Sequence, residues 1–72
     1  MLIISDEDKN FLKKNLKDAE KLFNSENVND ILDPLYTLID EKGFAPPHYY
    51  DYNDFGREAQ KVYDRIFLNN PD

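Results

Sequence analysis

Along three stretches of this chain the apolar residues recur at intervals of three and four, and no stretch shows the strict alternation of a strand. The first interval is the repeat of a helix face, the second that of a half-buried strand. Phe11, Leu12, Leu16, Ala19, Leu22 and Phe23 mark one stretch. Val28, Ile31, Leu32, Leu35, Tyr36, Leu38 and Ile39 mark the next, and Phe55, Ala59, Val62, Tyr63, Ile66 and Phe67 the last. The pattern predicts an all-α fold, a small three-helix bundle with a Pro/Tyr-rich connector between the second and third helices.

Polar punctuation places the ends at about 6–24, 28–42 and 54–68. Ser5 suits an N-cap, and Asp6, Glu7 and Asp8 put negative charge at the positive end of the first helix dipole. Asn24-Ser25-Glu26-Asn27 reads as a turn, and Gly43 sits where a C′ glycine would end the second helix. Pro34 removes a helical hydrogen bond, yet the apolar period runs on across it, which favours one kinked helix over a shorter one starting at Pro34. Pro46-Pro47 forces extended chain, Asn53 or Asp51 caps the third helix, and Asn69-Asn70-Pro71 ends it.

The chain has 72 residues and no cysteine, enough for one domain (1–72) without disulfides or thiolate metal sites. Its ten aromatic residues are the alternative source of buried area, and homo-oligomerisation would be another. Met1-Leu2-Ile3-Ile4 is too short for a signal-peptide core, and no segment approaches a membrane span. The chain therefore reads as soluble and cytoplasmic, with no membrane partner.

Charge is distributed unevenly. Between Glu26 and Phe55 seven acids face Lys42 alone, which accounts for the whole net charge of −6, and five aromatics fall between Phe44 and Phe55. An acidic chain of this kind makes direct nucleic-acid binding unfavourable. Lys13, Lys17 and Lys21 form a ridge that reads as a solvated helix face, with Lys14 and Asp18 spaced to pair.

Little in the sequence carries chemistry. Asp51-Tyr52-Asn53-Asp54-Phe55-Gly56 resembles the opening of an EF-hand loop, but Phe55 and Val62 stand where two oxygen ligands belong. His48 lacks visible ligand or catalytic companions, and its ring is expected against proline or tyrosine. The carboxylate pairs Asp6/Asp8, Asp30/Asp33 and Asp40/Glu41 are read as helix-terminal and surface acids. The two glycines, 43 and 56, lie far apart in sequence and form no phosphate loop. The expectation is no enzyme, no metal and no cofactor.

What stands out is the connector. Three tyrosines within four positions cannot all point inward from one extended segment. Tyr49, Tyr50 and Tyr52, with Asp51 and Asp54, are the candidate partner-binding residues, while Phe44 and Phe55 clamp the connector onto the core. The function expected is a small acidic, non-enzymatic protein-interaction module. In length, acidity and composition the chain resembles the small accessory proteins of phages and mobile elements. One alternative is an inhibitor that mimics nucleic acid. A second is a trihelical DNA-binding domain using the Arg57, Lys61 and Arg65 face.

Overall fold

The computed structural model describes residues 2–71; Met1 of the leading apolar run and Asp72 lie outside them. The described chain is mostly helical and contains no strand: α1 (Asp6–Asn15), α2 (Ala19–Phe23), α3 (Asn29–Lys42) and α4 (Asp54–Asn69).

The stretch expected as one helix over 6–24 is two. Ser5 caps α1 as expected, its Oγ accepting the Asp8 N–H at 3.2 Å. The helix then stops at Leu16, which is extended (φ −116°, ψ 134°), and the chain restarts after Asp18 in the left-handed region (φ 58°). The Asn15 side-chain amide donates to the Phe11 carbonyl at 2.8 Å, and aspartate tolerates left-handed backbone better than most residues. These short polar residues break the helix without breaking the apolar count, because Ala19 and Phe23 still turn inward. Leu16, expected on a helix face, is half-buried at the break, and the Lys13/Lys17/Lys21 ridge is interrupted there. Lys13 pairs across it with Glu20 at 3.6 Å, in place of the expected Lys14–Asp18 pair.

Helix α3 is continuous through Pro34. The proline leaves the Asp30 carbonyl without its helical donor, on an exposed residue that water reaches. Asn27 supplies the start that Val28 cannot, its Oδ1 accepting the Asn29 N–H at 3.0 Å. Tyr36, counted on the apolar face, is instead 64% exposed. At the other end Gly43 keeps right-handed dihedrals (φ −90°, ψ −1°), so it is no left-handed C′ glycine.

Its role is close approach. The two glycines meet: a Cβ on Gly56 would lie 2.0 Å from the Gly43 carbonyl oxygen, and one on Gly43 would lie 3.2 Å from the Gly56 Cα. Only residues without side chains let the end of α3 and the first turn of α4 cross at this distance. From there Gly56, Ala59, Val62 and Ile66 form the buried stripe of α4. It packs on Ile31, Leu35 and Ile39 of α3 and on Leu12 of α1 in one apolar core. Phe67, expected on the buried face, is 56% exposed beside the core-facing Ile66.

Two further contacts close the fold. Leu2 and Ile4 are buried while Ile3 points out, and the Asn70 side chain bonds both Ile3 backbone groups, accepting from its N–H at 2.6 Å and donating to its carbonyl at 2.8 Å. Asp8, 2% exposed, takes a two-pronged pair of bonds from Arg65, Nε to Oδ2 at 3.0 Å and Nη2 to Oδ1 at 2.6 Å. That hydrogen-bonded pairing holds the Arg65 guanidinium above the usual arginine range, with burial acting in the opposite direction.

Candidate protein-interaction surface

Residues 44–52 leave the α3–α4 crossing and return to it, and side chains close their neck. Asn53 is the hub. Its Oδ1 accepts the Gly56 N–H at 2.7 Å, which caps α4. Its side-chain amide donates to the Lys42 carbonyl at 2.7 Å, and its backbone N–H donates to the Gly43 carbonyl at 2.9 Å. One asparagine thus caps α4 and satisfies the end of α3. Of the two caps the sequence offered, Asn53 is the one used.

Above the crossing, Phe44 and Tyr52 form an isolated antiparallel bridge, and their rings stack with centroids 5.1 Å apart. The Tyr52 hydroxyl donates to Gln60 Oε1 at 3.1 Å, which ties the neck to α4. Ala45 donates to the Asp51 carbonyl at 2.8 Å, and Tyr49 to the Ala45 carbonyl at 2.9 Å. On the other side of α4, Phe55 stacks on Phe11 of α1 at 5.7 Å. Both expected clamp residues, Phe44 and Phe55, are half-buried and packed against the core.

Beyond the neck, Pro46, Pro47, His48, Tyr49, Tyr50 and Asp51 are all exposed. Tyr50 is 84% exposed and Tyr49 60%, the latter in the left-handed region with φ 60°. The His48 ring stacks on Tyr50 with centroids 5.7 Å apart, one of the two partners expected for it. The candidate tyrosines therefore divide: Tyr52 faces the neck, while Tyr49 and Tyr50 face outward. Asp51 is exposed at the tip, and Asp54 is exposed at the start of α4 with Arg57 Nη1 3.1 Å from its Oδ1.

The tip presents aromatic rings and a carboxylate to solvent. Among the described residues, no three His, Asp or Glu side chains converge as a metal ion would need. Among the described residues, no helix is long and apolar enough to cross a membrane. Of the basic face on α4, Arg65 is engaged by Asp8 and Arg57 by Asp54. Sequence reasoning missed the exposed Tyr36 beside the neck, and nothing in the 3–4 spacing distinguished it from its buried neighbours. Set against protein-family models, curated proteins and solved structures, the chain matches none of them.

Proposed function

We propose that the protein is a small acidic, non-enzymatic interaction module of the cytoplasm that binds another protein through its connector. One observation carries the reading: a loop with a hydrogen-bonded, ring-stacked neck presents six successive exposed residues, Tyr49 and Tyr50 among them. Tyrosine gives large contact area at low rotamer cost, and a held loop loses little further entropy on docking. Asp51 and Asp54 flank the aromatics and favour a partner with a basic surface. We further infer that the four helices amount to a three-helix bundle, with α1 and α2 as one interrupted arm.

The DNA-binding alternative has less support, because two of its three cations are already engaged. The nucleic-acid-mimic alternative shares the acidic middle of the chain but leaves the exposed tyrosines without a role. A phage or mobile-element setting rests on composition.

The test is affinity capture from a nuclease-treated host lysate with the wild-type chain and with Tyr49→Ala and Tyr50→Ala. Both variants are expected to melt like wild type, and Tyr50→Ala is expected to lose a protein that wild type retains. Retention of every partner by both variants would refute the reading.

A further inference from the structure

Beside the connector neck lies a small cavity of about 140 Å³, lined by Tyr36, Ile39 and Asp40 of α3, Phe44 and Tyr52 of the neck, and Gln60 of α4. Three aromatic side chains and a carboxylate thus meet in one depression. Tyr36 is 64% exposed on a face of α3 that it shares with Asp33 and Asp40, both exposed, three residues before it and four after. The core makes little use of this tyrosine.

We infer that this cavity receives an arginine side chain of the partner protein. The inference rests on the reading of the connector as a protein-binding surface and names the chemistry of what docks beside it. Size is the first argument. Pockets for drug-sized ligands measure roughly 300–1,000 Å³, so a cavity this small suits a single side chain. Charge is the second. The segment from Glu26 to Phe55 carries the whole net charge of −6, and Asp40 belongs to it. A cation is the complementary occupant, and aromatic faces attract cations through their quadrupole. Among the described residues the cation found over a ring is Lys9 over Phe23, away from this cavity, so these rings are not served from within the chain.

Chemistry favours arginine over lysine. A planar guanidinium stacks on aromatic faces while its fork of N–H donors meets a carboxylate two at a time, whereas an ammonium is a compact, strongly hydrated point charge. The Phe44–Tyr52 stack and the Asp40 carboxylate offer one partner for each property. Arginine is also among the residues enriched at the centres of protein interfaces.

The probes are three capped peptides, Gly-Ser-Arg-Ser-Gly and its counterparts with citrulline or lysine at the centre, titrated into the full chain and followed by NMR of the tyrosine rings. The arginine peptide is expected to shift the Tyr36 and Tyr52 ring signals saturably. Asp40→Asn and Tyr36→Ala change exposed residues and are expected to keep the fold; each is expected to weaken binding about fivefold or more. Citrulline, of the same shape without the charge, is expected to give no saturable shift, and lysine to bind several-fold more weakly.

Equal binding of arginine and citrulline, equal binding to wild type and Asp40→Asn, or no saturable shift at Tyr36 and Tyr52 would each overturn the inference. Partner capture separates its failure from that of the underlying reading. A partner lost by Tyr50→Ala but kept by Asp40→Asn leaves the connector reading standing and overturns the arginine site. A partner kept by Tyr50→Ala but lost by Asp40→Asn overturns the tip, and the peptide titration then decides the arginine site.

Discussion

Gly56 is an exception to its local propensity. Alanine is the better helix former by about 1 kcal/mol, and Gly56 lies inside the first turn of α4. A Cβ there would lie 2.0 Å from the Gly43 carbonyl oxygen and 2.7 Å from its carbon, atoms of backbone that cannot swing away. Gly56→Ala is therefore expected to destabilise the fold by about 1–3 kcal/mol or more, read as a lower denaturation midpoint. Arg65 poses a different question of partnership. Removing its guanidinium would leave the buried Asp8 carboxylate without its cation, and Arg65→Ala is expected to cost about 1–3 kcal/mol in thermal unfolding. Because the shift raises the folded-state value of a base, the Arg65 contribution is present at neutral pH and is lost as pH climbs through the arginine range. Neither the glycine pair nor the Asp8–Arg65 pair could be read from the sequence. Their members stand 13 and 57 positions apart, and each has a separate local reading: Asp8 and Gly43 as helix-end residues, Gly56 as part of a loop motif, Arg65 as one of a basic helix face.

Helix α3 and α4 boundaries were legible within a residue or so: Asn53 caps α4 through nearby backbone, and Gly43 marked the end of α3, although it serves close approach there rather than a left-handed cap. Continuity through Pro34 was legible for the same reason as the helix itself, the persistence of its apolar period. That persistence also hid the break between α1 and α2. Residues 12, 16, 19 and 23 keep helical spacing while the backbone between them does not. Asp18 is the test of that break. A β-branched residue with φ near 58° is strained, so Asp18→Val is expected to cost about 1–2 kcal/mol, whereas Asp18→Asn is expected to be close to neutral. Equal melting temperatures for the two variants would argue for a continuous helix. Tyr36 and Phe67 show the opposite limit of periodicity. It says which residues share a face but not how wide a face the neighbouring helices cover.

At the scale of the molecule, the parts divide by how they are held. The core, the Asn70 clamp and the Asp8–Arg65 pair tie the start of the chain to α4. The connector is tied at its neck by Asn53, Phe44 and Tyr52, and the side chains of its tip are exposed. The sequence showed that the tyrosines could not all be inside but not which ones, since that depends on the Phe44–Tyr52 bridge. On the proposed reading, the tip is the part the fold can do without and binding cannot. Replacing residues 46–51 by six glycine and serine residues tests this directly, with the melting transition and partner capture measured on the same preparation. The replaced chain is expected to unfold cooperatively near the wild-type temperature and to capture no specific partner. A chain that keeps its partners without the tip, or one that no longer folds, would contradict the division between a structural neck and a binding tip.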